Sequence, residues 1–224
     1  MQNALTLGLL SDTHLPYRLK RIPQAALDAL SGVDLILHAG DVDDPAALAP
    51  LRAIAPVHAV RGNWHLQDLS DGGASLPLLI ELDLMDHRVL VTHGHRPGLL
   101  GFLEKGINLT ACWLKLTHNG KFNHAIAHRL SQRYPHADVI VFGHTHRAYV
   151  RQIGRQLLIN PGGVCPTRAE RPTVARLRLA SGTHQVEIIP LDGMFEHKRN
   201  TNKFFWFFGI SHGRGERLAT NCTN

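Results

Sequence analysis

Residues 5–14 read Leu5-Thr6-Leu7-Gly8-Leu9-Leu10-Ser11-Asp12-Thr13-His14. A short apolar run stops at a carboxylate and an imidazole two residues apart. The run from Ala4 to Leu10 is predicted as a buried strand, because it is brief, apolar and uninterrupted. Pro23 to Leu30 follows as a helix, with a proline near its start and Gly32 beyond its end. Val33 to His38 reads as a second strand. Asp44-Pro45 supplies an N-cap and a first helical residue for a helix over Ala46 to Leu51, and Pro56 to Val60 is a third strand. Strand–helix–strand units of this kind imply a parallel sheet.

The polar ending of the first strand recurs along the chain. Gly40-Asp41 closes the second strand and Gly62-Asn63 the third. Thr92-His93-Gly94-His95 follows Val89 to Val91, and Gly143-His144-Thr145-His146 follows Val139 to Phe142. Open α/β sheets bind ligands at the ends of their strands. Six of the 16 histidines lie inside or beside these motifs.

The pattern changes after residue 75. Leu76 to Leu84 and Arg88 to Thr92 read as strands joined at Met85-Asp86-His87. Ala148 to Ile153 and Gln156 to Asn160 flank Gly154. Thr173 to Leu179 and His184 to Ile189 flank Ser181-Gly182. These are antiparallel hairpin signals. The expected fold class is therefore α/β: a four-layer αββα sandwich of two mixed β-sheets flanked by helices, with a helical insertion around 99–134. In that insertion Phe122, Ile126 and Leu130 recur every four residues as an apolar face. Lys121, His124, His128, Arg129 and Arg133 decorate the rest, and Leu109 to Leu116 around Trp113 suggests a further helix. Two readings stand for this region: a covering helix with a solvated basic face, or a cap that contacts substrate.

Composition narrows the class. At 224 residues, 44% hydrophobic and 19% charged, the chain can bury a core. The expected division is one domain over 1–193 and a basic aromatic tail over 194–224. The tail contains Phe204-Phe205-Trp206-Phe207-Phe208, a run too short to span a bilayer. It is expected to be poorly ordered, the alternative being contact with a membrane interface or a partner. Cys112, Cys165 and Cys222 are an odd number with no C-x-x-C spacing, which suits reduced thiols in the cytoplasm. No apolar stretch is long enough for an integral membrane protein. The net charge of +6 is mild, and +3 of it comes from Lys198, Arg199, Lys203, Arg214 and Arg217 against Glu196 and Glu216. Nucleic acid is thus a possible but not favoured partner, and a modest positive charge equally suits any enzyme with a phosphate-bearing substrate.

Taken singly the motifs say little. Asp12-Thr13-His14 also makes a polar turn, and Gly62-Asn63 is a common turn dipeptide. A lone histidine at a strand end is more often a hydrogen-bonded structural residue. Asp41 could cap a helix, but Asp43 and Asp44 stand closer to Pro45 and fit that role better. Asp41 then has two carboxylate oxygens to offer to two cations. Taken together, Asp, Asn and His side chains delivered from five strand ends suit a two-metal hydrolytic centre.

In order and content these motifs resemble those of the calcineurin-like metallophosphoesterase superfamily, especially its small bacterial and archaeal phosphodiesterase branch. The resemblance spans about Leu5 to Ile189. It implies one metal held by Asp12, His14, Asp41 and His146, and a second held by Asp41, Asn63, His93 and His144, with Asp41 bridging. The mixed nitrogen and oxygen donors suit Mn2+ first, with Fe, Zn, Co or Ni as alternatives. The implied activity is phosphoester hydrolysis, most of all of a phosphodiester, by a metal-bridging hydroxide that attacks phosphorus in line.

The chain departs from the family at one place. Many members carry a histidine directly after the asparagine to protonate the leaving group; here Trp64-His65 stands there. His65 acts near the leaving oxygen or is a surface histidine, and His95 is the second candidate acid. His38 is expected at the buried end of its strand, behind the ligands or in the core. The resemblance leaves two further readings: a protein-interaction scaffold, since one eukaryotic retromer subunit shares the fold, and a nuclease. The substrate and the oligomeric state are not legible in the sequence.

Overall fold

In the computed structural model the described residues are 4–63, 76–95, 121–167 and 170–191. Their ten strands form two five-stranded sheets. The first has the order β10-β9-β1-β2-β3, built from β1 (Ala4–Leu10), β2 (Leu35–His38), β3 (Val57–Ala59), β9 (Thr173–Ala180) and β10 (Thr183–Pro190). The second has the order β4-β5-β6-β8-β7, from β4 (Leu79–Leu84), β5 (His87–Thr92), β6 (Val139–Val141), β7 (Tyr149–Ile153) and β8 (Gln156–Asn160). Both are mixed. β1, β2 and β3 run parallel while β9 and β10 are antiparallel; β5, β6 and β8 run parallel while β4 and β7 are antiparallel.

Period-two patterning divides each central strand between two cores. Leu7 and Leu9 of β1 and Leu37 of β2 face Val89, Val91, Val139, Val141, Leu157 and Ile159 of the other sheet. These aliphatic side chains form the layer between the sheets. Leu10 and Ile36, on the opposite face of the first sheet, pack with Ala26 of α1 (Gln24–Ala29), Leu30 just after it, Leu48 just before α2 (Ala49–Arg52) and Leu51 within α2. Leu90, Ile140 and Leu158 of the second sheet pack with Ile126, Ala127 and Leu130 of α3 (Lys121–Arg133). The four-layer order helix, sheet, sheet, helix follows from these three apolar layers.

Two local details differ from expectation. The helix expected over Ala46 to Leu51 is a 3-10 turn, Pro45–Leu48, followed by α2. Pro50 has no N–H to donate back to Ala46, so the α-helical ladder cannot run through it. The buried stripe of α3 is Asn123, Ile126, Ala127 and Leu130, whereas Phe122 is exposed. The spacing i, i+3, i+4, i+7 of the observed stripe tracks the 3.6-residue turn, and the spacing of four drifts off it.

The C-terminal ends of β1, β2 and β3 meet those of β5 and β6 along one edge of the sandwich. At the opposite edge the Asp86 carboxylate accepts hydrogen bonds from the Gly182 N–H, at 2.8 Å, and from the Ser181 hydroxyl, joining two hairpin turns. The described part belongs to a compact unit over Met1–Met194. The tail 194–224, the expected helix over 109–116 and Trp113 lie outside the described residues.

Candidate metal centre

Asp12 and His14 follow β1, Asp41 follows β2, Asn63 follows β3, His93 follows β5, and His144 and His146 follow β6. The structure gathers Asp12, His14 and His146 into one cluster and Asp12, Asp41 and His93 into another, with ligand atoms in each within 4.8 Å of one another. Asp12, His14, Asp41 and His93 are almost fully buried. Asn63 is added by its amide oxygen, 3.1 Å from His93 Nε2. The His144 ring lies edge-on to His93 with centroids 5.1 Å apart, and its backbone N–H donates to Asp12 Oδ2. His95 lies beside both, at 5.4 Å from His93 and 6.4 Å from His144. His65 falls outside the described residues.

The backbone takes an uncommon conformation to achieve this. Asp12, His14, Asp41, His144 and His146 all have positive φ, between 47° and 77°. Left-handed backbone costs a residue with a side chain about 1–2 kcal/mol. Apart from Met85, they are the non-glycine residues among those described that adopt it. In both Asp12-Thr13-His14 and His144-Thr145-His146 the first and third residues are left-handed. Strain concentrated in this way marks a place where side-chain position outweighs local stability.

Hydrogen bonds fix which ring nitrogens face inward. A carbonyl oxygen only accepts, so His93 Nδ1–H donates to Ala39 O at 2.8 Å, and His146 Nδ1–H donates to Cys165 O at 3.3 Å. Both Nε2 atoms therefore face the centre. His93 Nε2 meets Asn63 Oδ1 at 3.1 Å and Asp41 Oδ2 at 3.4 Å. His146 Nε2 meets His14 Nε2 at 3.3 Å and Asp12 Oδ1 at 3.5 Å. Asp12 Oδ1 is buried with no hydrogen-bond partner among the described residues, a costly arrangement unless something positive lies against it.

These distances fit cations. Two donors each about 2.1 Å from one ion lie roughly 3.0 Å apart at right angles and roughly 3.4 Å apart at tetrahedral angles. The ligand pairs, 3.1 to 3.5 Å apart, fall in that interval or just beyond its upper end. Asp41 Oδ2 is 3.5 Å from His14 Nε2 and 3.4 Å from His93 Nε2, so a single oxygen stands between the two clusters.

Electrostatics agree. Burial alone would lower the pKa of His93, but the Asp41 carboxylate beside it raises it to about 9. Burial would raise that of Asp41, but His93, then His14 and His144, hold it well below the usual carboxylate range. The field at this point favours positive charge. Burial and then the charge of His93 lower His144 to about 3 and His95 to about 4, so both rings are neutral near pH 7 and keep a lone pair to offer.

Several residues that position the centre escape sequence reasoning. Gly40 N–H donates to His38 Nδ1, so His38 Nε2–H faces Thr13 Oγ1 at 3.1 Å and ties the β1 and β2 loops together. His38 thus lies behind the ligands, as expected for one of its two readings. Ser11 Oγ contacts Asp12 Oδ2 at 2.5 Å and Gly162 O at 2.9 Å. Asn160 ends β8 and is fully buried. Its Nδ2 reaches Gly143 O and Thr145 Oγ1, and its Oδ1 accepts from Gly162 N–H. Asn123 of α3 receives Thr145 Oγ1–H and donates to Arg147 O. Arg129 of the same helix donates to Gly94 O, tying the helix to the loop that carries His93 and His95. The signal available for Asn160 was a polar residue closing a strand of otherwise buried positions. Replacing Asn160 by Ala strands several buried polar groups, and we expect a loss of about 1–3 kcal/mol in urea denaturation. A midpoint equal to wild type would show that the loop stands without it.

Comparison with known proteins adds three findings. Residues 5–182 match the model of the calcineurin-like phosphoesterase superfamily domain. The chain is 31% identical over 185 residues to a protein of Methanothermobacter thermautotrophicus named "Probable metallophosphoesterase", covering 83% of this chain and 92% of that one. It is 30% identical over 188 residues to a like-named protein of Methanocaldococcus jannaschii, covering 84% and 82%. Similar solved structures include vacuolar protein sorting 29 of Cryptosporidium parvum, at TM-score 0.60 and 17% identity over 84% of this chain and 97% of that one. A structure described as a novel archaeal phosphodiesterase matches at TM-score 0.55 and 20% identity, covering 83% and 100%. At these identities the solved structures speak to the fold alone.

Proposed function

The chain belongs to the calcineurin-like phosphoesterase superfamily, and from that premise we propose that it is a metal-dependent phosphodiesterase acting on a small, nucleotide-like substrate at a dinuclear centre. The observation that carries this reading is Asp41 Oδ2, set nearly equidistant between His14 Nε2 and His93 Nε2. Asp12, His14, Asp41 and His146 would hold one cation, and Asp41, Asn63, His93 and His144 the other. When bound, such ions, Mn2+ first with Fe, Zn, Co or Ni as alternatives, supply Lewis acidity toward phosphoryl oxygens and acidify water.

The chain's own residues then set orientation and charge. Asp41 and Asp12 contribute the negative charge that draws cations into a buried site. His93, anchored through Nδ1 to Ala39 O, keeps Nε2 turned inward. His95 stands next to the ligand rings with its Nδ1 buried and without a hydrogen-bond partner among the described residues. Being neutral near pH 7, it offers a hydrogen bond to a phosphoryl oxygen more readily than a proton to a departing alkoxide. His65, directly after Trp64, is the other candidate for that proton. A weakly supplied proton restricts the enzyme to leaving groups that depart as stable anions.

The expected result is hydrolysis of an aryl phosphodiester in Mn2+, abolished by chelation and restored by added metal. An alkyl phosphodiester should react at least about 10^2-fold more slowly, the lower range of a general-acid contribution. Activity indifferent to chelator would end the metal reading, and equal aryl and alkyl rates would end the leaving-group argument. The scaffold reading gains no support from the site, because every ligand expected from the motifs is present. Among the described residues no helix is long and apolar enough to cross a membrane. A cytoplasmic location fits the free, buried thiol of Cys165.

A further inference from the structure

Asp43 is left over by the roles assigned so far. The sequence offers two acids for the N-cap at Pro45, and the structure gives that role to Asp44, whose side chain accepts from Ala46 N–H at 2.8 Å. Asp43 turns instead to the metal centre. Its Oδ1 lies 3.7 Å from His14 Nδ1, and the pair is buried, with side chains 7% and 2% exposed. The other nitrogen of the same ring, Nε2, faces His146 Nε2 at 3.3 Å and Asp41 Oδ2 at 3.5 Å.

Three of the four candidate imidazoles, His14, His93 and His146, have an Nδ1 partner that can be named among the described residues. His93 and His146 are each backed at Nδ1 by a backbone carbonyl, Ala39 O and Cys165 O. His14 alone is backed by a carboxylate. A carboxylate behind a ligating imidazole fixes the hydrogen on Nδ1, holds the ring plane and makes Nε2 a stronger donor. It also adds a negative charge close to one cation position and further from the other. At 3.7 Å the contact is an ion-pair distance, and a few tenths of an ångström would close it to a hydrogen bond.

We propose that Asp43 is a positioning residue for His14, and that it makes the Asp12–His14–His146 position the tighter of two cation sites. The inference rests on the dinuclear reading above. It separates the sites by a charge that no motif supplies.

The test is Mn2+ titration of the intact, metal-stripped chain by calorimetry, with apo-protein melting recorded in parallel. In Asp43→Ala we expect one of the two Mn2+ affinities to fall about 10- to 100-fold, the other to change less than about threefold, and apo melting to stay near wild type. Asp43→Asn keeps an acceptor without the charge and should recover part of the loss. In a His14→Ala background, Asp43→Ala should add no further loss, because the ring through which it acts is gone. Unchanged Mn2+ affinities in Asp43→Ala would overturn the proposal. So would equal weakening of both sites with a lowered apo melting point, or a full additional loss in the His14→Ala background. A wild-type chain that binds no Mn2+ would instead remove the dinuclear reading itself.

Discussion

Asp41→Ala is expected to abolish metal-dependent hydrolysis while leaving the fold in place. Asp41 Oδ2 lies 3.5 Å from His14 Nε2 in one cluster and 3.4 Å from His93 Nε2 in the other, and in the proposed dinuclear centre its removal would withdraw a ligand from each cation at once. Two-metal stabilisation of a phosphoryl transition state is worth several kcal/mol, so kcat/KM should fall on the order of 10^3-fold or more. The stoichiometry of bound Mn2+ should fall below two. Circular dichroism should be unchanged, since Asp41 lies beyond the end of β2 and outside the inter-sheet core. Asp41→Asn separates charge from shape: the amide keeps an oxygen at the same place, yet it is a poorer bridge and should recover only part of the metal binding. A variant without Asp41 that still bound two Mn2+ ions and hydrolysed an aryl phosphodiester at the wild-type rate would refute the bridging role.

Removal of Asp41 also has a consequence for its neighbour. The carboxylate raises His93 to about 9, against the effect of burial. Without it, burial prevails and His93 should titrate well below that value. The shift is observable in the imidazole proton resonances of the apo chain. It reports directly on the field that the site presents to a cation.

The strand ends were legible because they carry two independent signals. Leu5 to Leu10 and Val139 to Phe142 are apolar enough to identify strands, and Asp12, His14, His144 and His146 are chemically conspicuous immediately after them. The residues that escaped notice lack such contrast. Asn160 sits before Pro161-Gly162, where an asparagine reads as a turn former, and its partners Gly143 and Thr145 are distant in sequence. Asp43 and Asp44 are adjacent and chemically identical. Only the structure shows which of them caps the turn: Asp44, with extended backbone at φ −133° and ψ 121° and a side chain that accepts from Ala46 N–H. The left-handed conformations of Asp12, His14, Asp41, His144 and His146 contradict local preference for their side chains. Sequence reasoning rests on local preference, and it fails where tertiary contacts pull the chain into strained shapes for a site.

Gly62 gives the sharpest test of that packing. Its φ is not in the left-handed region, so an alanine there would be free of backbone strain. The constraint is space. A Cβ on Gly62 would lie 1.7 Å from Asp41 Oδ1, 2.4 Å from Asp41 N and 2.5 Å from Asp41 Cγ. Asp41 N is backbone and cannot rotate away, and clearing Oδ1 and Cγ means swinging the carboxylate out of its place. Gly62→Ala must therefore push apart the β2 and β3 loops, which carry Asp41 and Asn63. We expect about 3 kcal/mol of destabilisation, the upper part of the usual range for overpacking, seen as a drop in Tm of about 6–12 °C. Weaker Mn2+ binding should accompany it, because Asp41 is the residue proposed to serve both cation positions. Gly154→Ala is the matched control. Gly154 has a φ of 58° with nothing within 4 Å of an added Cβ, so the substitution should cost only the left-handed penalty of about 1–2 kcal/mol and leave Mn2+ affinity unchanged. If Gly62→Ala melted and bound metal like wild type, the close approach of Gly62 to the bridging carboxylate would be wrong, and with it the placement of Asn63 beside His93.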